Sequence, residues 1–419
     1  MSGLRLQQKT CPLKEIILII TLFIFLSLIV LIEFYFFRGI KIVLYRKRRL
    51  IYVISTLLIY IFFIAYTFLF EISSSSKLFS YYLTFIFMLI ISKIIALPII
   101  IINDLFRLLS FFSSKYRKDK KVNLGRRSVV SKLSLIVASI PIPISLDGIF
   151  FGRYRYRVIN HTLYFKKLPL KFDGYKITQL SDFHCGSLEN SSKVNQAIEM
   201  INDVNSDLIL FTGDFVNNRY EEIKPWVKSF SKLKAKDGMI SVLGNHDYGD
   251  YMRWSSIEKK NKNFENLLAI QKEIGFDVLM NENKFIKKGN DKIAIVGCEN
   301  WGARFNKLGD IEKATNNISD DDFKIVLSHD PTHWDKILKN HSQNFDLTLS
   351  GHTHGMQFGI EIPGIIKWSP VKWAYKYWAG LYNYRGKYLN VNRGFGVLAF
   401  PGRVGIWPEI TSITLKKST

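Results

Sequence analysis

The chain has 419 residues, of which 48% are hydrophobic, and 58 Lys and Arg against 35 Asp and Glu give a formal net charge of +23. That length exceeds one domain of ordinary size, so two regions are expected. Residues 1–150 hold 20 of the basic residues but only 6 of the acidic ones, among apolar runs; this pattern reports membrane orientation and argues against nucleic acid as a partner.

The first apolar run, Ile16 to Phe37, is long enough to cross a bilayer as a helix, with Glu33 near its end. Six positive charges in RGIKIVLYRKRRL separate it from a second span, Leu50 to Phe70. An EISSSSK loop then leads to a third, about Phe79 to Ile102, which contains Lys93 and Pro98. A charge inside a span is costly, and Glu33 is the expected partner of Lys93. A basic segment, 107–132, precedes a weaker apolar stretch, 133–151, interrupted by Pro141, Pro143 and Asp147. RRSVVSKLSL at their junction reads either as an internal twin-arginine export signal or as more of the basic loop. With both basic loops cytoplasmic and the fourth stretch crossing, everything beyond it is extracytoplasmic, which is the preferred reading. If 133–151 lies in the interface instead, the same residues are cytoplasmic. Residues 1–152 are thus expected to form an all-α transmembrane region of three or four helices in an inner or plasma membrane. The lipid bilayer is its partner, and no protein partner is evident.

From about Tyr154 the pattern turns globular. YRVINHTLYFKKLP reads as an opening strand. SSKVNQAIEMINDVNSD, YEEIKPWVKSFSKLKAK and IEKKNKNFENLLAIQKEIG have helical spacing, and DVLMNENKFIKKGNDKIAIVGCEN suggests a hairpin. Alternating strands and helices indicate an α/β layered fold. Five short apolar runs, YKITQL, DLILF, MISVL, FKIVL and FDLTL, each end just before a metal-binding or acid/base residue. The segments that follow are SDFHCG (181–186), FTGDFV (211–216), LGNHD (243–247), LSHDP (327–331) and SGHTHG (350–355). Ligand sites gather beyond the carboxyl ends of strands in such sheets, so the five are expected to converge.

Asp182, His184, Asp214, Asn245, His329, His352 and His354, with His246 beside Asn245, form a mixed nitrogen and oxygen donor set. It suits divalent ions such as Mn, Fe or Zn without any cysteine. Seven candidates are too many for one tetrahedral ion but suit two ions sharing a carboxylate. Two ions about 3.5–4 Å apart would clamp both oxygens of a phosphoryl displacement. Five of the eight histidines fall in these segments. His161, His333 and His341 lack the strand-end context and read as packing or surface residues. Cys11, Cys185 and Cys298 contain no CxxC and imply no disulfide framework, and Cys185 reads as a small residue filling its turn.

In this order, D-x-H, G-D, G-N-H-D, a lone H and G-H-x-H resemble the calcineurin-like metallophosphoesterase superfamily. The resemblance implies one ion on Asp182, His184 and His354, and another on Asn245, His329 and His352, with Asp214 bridging. It further implies that Asn245 helps hold the phosphate, that His246 assists the leaving group, that Asp247 orients His246, and that a metal-bridging hydroxide attacks phosphorus. GHTHGMQFGIEIPG and the segments after it look like the transmembrane or twin-arginine-exported branch, which usually reads GHTHGGQ; Met356 departs from it, outside the ligand set. The implied fold is a four-layer αββα sandwich over 153–419, with the metals at one sheet edge. The implied activity is that of a phosphoester hydrolase or phosphodiesterase.

For an enzyme held at a bilayer, a lipid-linked phosphoester or pyrophosphate is the expected substrate. A narrower version, hydrolysis of UDP-2,3-diacylglucosamine in lipid A synthesis, needs a cytoplasmic domain and conflicts with the outward topology. A metal-binding sensor or structural protein without turnover is opposed by His246 and the complete ligand set. Trp368, Trp373, Tyr375, Tyr377, Trp378, Tyr382 and Tyr384, interleaved with Lys367, Lys372, Lys376 and Arg385, read either as a stretch resting on lipid or as a loop packed on the domain.

Overall fold

Apolar runs without a strand-like alternation become helices in the N-terminal region. A computed structural model describes residues 12–69, 77–114 and 124–418. Cys11, most of the EISSSSK loop and residues 115–123 of the basic segment lie outside the described residues. The helices are α1 (Pro12–Ile40), α2 (Arg46–Leu69), α3 (Lys77–Ser114), α4 (Leu124–Ser139) and α5 (Pro141–Phe150). Arg46–Tyr66, Leu78–Ser110 and Gly125–Tyr154 are each long and apolar enough to cross a membrane; the last runs through the α4–α5 joint. Pro141 opens α5, where its missing N–H costs no helical hydrogen bond.

The chain divides into two compact units, Met1–Ile72 with Tyr82–Ile144, and Ser73–Tyr81 with Ser145–Thr419. Inside the first, Lys93 pairs with Glu33, whose carboxylate also accepts from the Tyr52 and Tyr60 hydroxyls at 3.0 and 2.8 Å. Arg38 Nη2 reaches Asp104 Oδ2 at 3.0 Å, and Ser131 Oγ donates to the Gly39 carbonyl at 2.6 Å. These bonds gather the α1–α2 turn, the later part of α3 and the first half of α4.

The second unit contains two six-stranded sheets. The first runs β1 (Arg157–Phe165), β14 (Glu409–Lys417), β2 (Lys176–Leu180), β3 (Leu208–Phe211), β4 (Met239–Ser241), β5 (Phe276–Val278). The second runs β12 (Gly380–Tyr384), β13 (Lys387–Val391), β9 (Leu347–Ser350), β8 (Lys324–Leu327), β7 (Asp291–Gly297), β6 (Glu282–Lys288). A separate ribbon pairs β10 (Ile360–Ile362) with β11 (Ile366–Trp368). Strands β2 to β5 are mutually parallel, as are β7, β8, β9 and β13, whereas β6 and β7 form the expected hairpin.

Alternation along the strands builds the layers. Leu208 and Leu210 of β3 face Ile293 and Ile295 of β7 in the core between the sheets. Ile209 and Phe211 turn outward onto α6 (Ser191–Asp203), α7 (Val227–Phe230) and α8 (Ile257–Ile274). Ala294 and Val296 turn the other way, onto α9 (Ile311–Ala314) and α10 (Pro331–Lys336). The result is a helix–sheet–sheet–helix sandwich, as expected. One helix is not as expected. Residues 220–236 break into 3₁₀ turns at Tyr220–Glu222 and Lys224–Trp226 before the single turn of α7. Pro225 removes a donor there, and Glu222 binds the amides of Asn217, Asn218 and Arg219 instead of continuing a helix.

Candidate metal centre

Each parallel strand delivers its polar residues at its carboxyl end. Asp182 and His184 follow β2, Asp214 follows β3, Asn245 follows β4, His329 follows β8, and His352 with His354 follows β9. The loops turn sharply to aim them: Asp182, His184, Asp214, His352 and His354 have φ of 54°, 42°, 60°, 72° and 50°. Left-handed backbone at a non-glycine residue costs on the order of 1–3 kcal/mol and persists only where surrounding structure enforces it. Two motif glycines make the room. A Cβ on Gly244 would sit 2.2 Å from Asp214 Oδ1, and one on Gly351 would sit 2.3 Å from Asp182 Oδ2.

Two ligand groups result, Asp182 with His184 and His354, and Asp214 with His329 and His352, each with ligand atoms within 4.8 Å of one another. Asp214 Oδ2 lies 3.1 Å from His329 Nε2 and 3.5 Å from His184 Nε2, so one oxygen reaches both groups. His354 Nε2 is 3.1 Å from Asp182 Oδ1 and 3.1 Å from His184 Nε2.

The donors fit a pair of cations. His184 Nδ1 donates to Asn217 Oδ1 at 2.9 Å and His329 Nδ1 to the Thr212 carbonyl at 2.7 Å, which leaves both Nε2 atoms as lone-pair donors. His352 uses Nε2 on the Tyr375 hydroxyl at 2.8 Å, with Nδ1 turned toward His329. Asn245 Oδ1 is buried without a hydrogen-bond partner, while its amide nitrogen donates to the Tyr251 hydroxyl at 2.8 Å. An orphaned buried carbonyl beside two buried carboxylates calls for positive charge. Burial alone would raise both acids. The facing imidazoles, chiefly His354 for Asp182 and His329 for Asp214, nevertheless hold them well below the usual carboxylate range.

The family described as calcineurin-like phosphoesterase matches residues 175–356, and a probable calcineurin-like phosphoesterase transmembrane domain matches residues 15–153. The metallophosphoesterase YkuE of Bacillus subtilis is 32% identical over 264 residues, covering 62% of this chain and 85% of its own. The chain belongs to the calcineurin-like metallophosphoesterases. A transmembrane protein with metallophosphoesterase domain from Danio rerio is 26% identical, covering 68% of this chain and 62% of its own. Among solved structures, the phosphopantetheinyl hydrolase of Mycobacterium tuberculosis aligns at 12% identity and a TM-score of 0.31, over 52% of this chain and 88% of its own. This metallophosphoesterase is therefore a membrane-associated phosphoester hydrolase, of a family that uses divalent metals, with two candidate metal groups.

Around the metallophosphoesterase ligands, one expected role is corrected. Asp247 does not orient His246. Its carboxylate accepts from the amides of Asp214 and Gly244, both at 2.9 Å, of Phe215 at 2.8 Å and of Val216 at 3.4 Å, which pins the β3 and β4 loops together. Burial, with Asp214 adding to it, pushes that carboxyl up to about 7. Asn217 holds His246 instead, its carbonyl accepting from Nδ1 at 2.7 Å, and the Tyr251 ring packs 4.5 Å from the imidazole. In the sequence neither Asn217 nor Tyr251 is singled out, and Tyr375 enters only as part of the aromatic stretch. Only Asn217, three residues after Asp214, carried a local signal.

The remaining histidines stay apart from the centre. His333 is buried against Trp301, with Ser328 Oγ at 2.8 Å from Nδ1, and burial pushes it down to about 3. His341 pairs with Glu312 at 2.9 Å, and His161 is half-buried on β1. Most of the aromatic stretch is packed: Trp378 is buried with Val371 and Ile406, and Tyr377 and Tyr384 pack on Trp334, whereas Trp373 stands exposed. A cavity of about 360 Å³ opens beside His246 and Asn217, with Tyr81, Arg153, Tyr251 and Phe400 among its walls.

Proposed function

We propose that this metallophosphoesterase hydrolyses a phosphoester or pyrophosphate whose leaving group remains in the lipid. In this reading residues 1–152 are the transmembrane region and 153–419 the catalytic domain, facing the extracytoplasmic side. The observation that carries it is the wall of the cavity beside His246. Ser80 and Tyr81 come from the first turns of apolar helix α3, and Arg153 lies just past α5. Tyr81 donates to Glu189 at 3.0 Å, and Arg153 Nη1 reaches both Tyr81 and Glu189, at 3.1 and 3.2 Å. A substrate entering here passes along the beginning of a membrane helix.

The charge distribution supports the side. With the basic segments 38–49 and 107–132 both cytoplasmic and the stretch 133–151 crossing, the residues beyond it face outward. That side disfavours the nucleotide-linked UDP-2,3-diacylglucosamine.

Asp182, His184 and His354 would hold one divalent ion, and Asn245, His329 and His352 the other, with Asp214 between them. When bound, the ions supply charge neutralisation for the phosphate and acidify water. His246, its Nδ1–H fixed on Asn217, presents Nε2 to give a proton to the leaving oxygen. The test reconstitutes the full chain in vesicles with Mn and follows hydrolysis of a lipid phosphodiester and of bis(p-nitrophenyl) phosphate. Tyr81→Ala and Phe400→Asp should depress lipid turnover while sparing the soluble ester. Equal loss on both would reject the lipid substrate, and no metal-dependent turnover on either would reject the catalytic assignment.

A further inference from the structure

The β10–β11 ribbon is built inside out. Its register places Ile360 opposite Trp368 and Ile362 opposite Ile366 on one face, with Glu361 opposite Lys367 on the other. The charged face is the one turned to the protein: Glu361 pairs with Arg393, and Lys367 Nζ donates to the Ala379 carbonyl. The isoleucine face is turned away. Ile360, Ile362, Ile366 and the tip residue Ile365 are 50%, 48%, 41% and 80% exposed, beside Phe358 at 41% and Trp373 at 74%. A sheet in water buries its apolar face, and contiguous exposed apolar surface marks a contact site.

The ribbon is continuous with the end of a membrane helix. Phe358 bridges to Val404, and Gly359 lies so close to Gly405 that a Cβ on the latter would meet its carbonyl at 1.9 Å. One residue back, the Arg403 carbonyl packs on Gly148 and Gly152, at 2.7 and 2.2 Å from where their Cβ atoms would stand. Phe150 and Phe151, between those glycines, are each 64% exposed at the end of α5. Lys372 and Lys376 are exposed nearby, as suits a surface of lipid phosphates.

We propose that the β10–β11 ribbon is a membrane-seated hairpin whose isoleucine face lies in the interfacial layer of the bilayer from which α5 emerges. Trp373 is its aromatic anchor at headgroup level. The ribbon directly follows the His352–His354 loop, and Ser369 Oγ donates to the Gly355 carbonyl at 2.8 Å, so lipid contact sets the height of the metal loop above the membrane. This placement does not depend on the substrate being a lipid.

The experiment uses the full chain with Cys11→Ser in vesicles of phosphatidylcholine and phosphatidylglycerol. Cys185 and Cys298 are buried and leave an introduced thiol as the reactive one. Ile365→Cys, and separately Ile362→Cys, are labelled with an environment-sensitive fluorophore; Leu170→Cys, 75% exposed at a turn before β2, is the aqueous control. Blue-shifted emission at 365 and 362, quenched by lipids carrying a nitroxide near the headgroup, with water-like emission at 170, is the expected result. Water-like emission at all three overturns the proposal. A blue shift that nitroxide lipids leave unquenched also overturns it, because the face is then covered by protein, such as a second copy.

Discussion

Each half of this metallophosphoesterase draws carboxylates out of solvent, partly in the helices and fully in the sandwich, and the two halves treat them differently. In the helices, Glu33 is met by Lys93 and two tyrosine hydroxyls, so its charge and lone pairs are satisfied by the protein alone. In the sandwich, Asp182 and Asp214 face imidazoles whose outer nitrogens are already engaged, and Asn245 Oδ1 has no partner. A shielded acid with complete partners is structural, whereas a set left short of positive charge is a site for something that arrives from outside. The backbone agrees. The five left-handed non-glycine ligand residues lie in the sandwich, where strain is tolerated to aim ligands.

The comparison breaks first at the centre. Asp214→Ala should abolish turnover and metal binding together, read by phosphate release and metal content, whereas His246→Ala should lower kcat by about 10²–10⁴-fold with metal content unchanged. If the two variants behave alike, His246 is a ligand or a scaffold rather than a proton donor.

Among the helices the opposite pattern is expected. Lys93→Met leaves Glu33 uncompensated and should cost about 3–5 kcal/mol, while the double Glu33→Met, Lys93→Met variant should recover most of it. Melting of the full chain in lipid distinguishes these. No apolar replacement should rescue the Asp214 variant in the same way.

A smaller effect is expected for Asn217→Ala, which frees the His184 ring while the backbone carbonyl of residue 217 still holds His246. Metal affinity should fall by roughly 10–100-fold, measured by titration with a chelator. Smallest is a pH effect at His333. Its folded value of about 3 lies below the ordinary 6.5, so the folded state binds fewer protons between those limits. Its stabilisation is complete above pH 6.5 and is lost as pH falls toward 3. Denaturation midpoints at neutral and mildly acidic pH should diverge less in His333→Gln than in the wild type.

The sequence by itself determined the apolar spans, the layered α/β class and the five strand-end segments, because each rests on short-range periodicity ending in a recognisable turn. Alternation in β3 and β7 was legible for the same reason, since successive side chains must face opposite layers. Tertiary structure alone decided which nitrogen of each histidine is free, that Asp247 clamps loops and leaves His246 to Asn217, and that Tyr375, 23 residues from its partner, reaches His352. It decided likewise that α3 walls the cavity and that the β10–β11 ribbon turns its isoleucines outward. Those outcomes depend on contacts between distant segments, whose geometry is set by sheet packing and leaves no spacing along the chain to read.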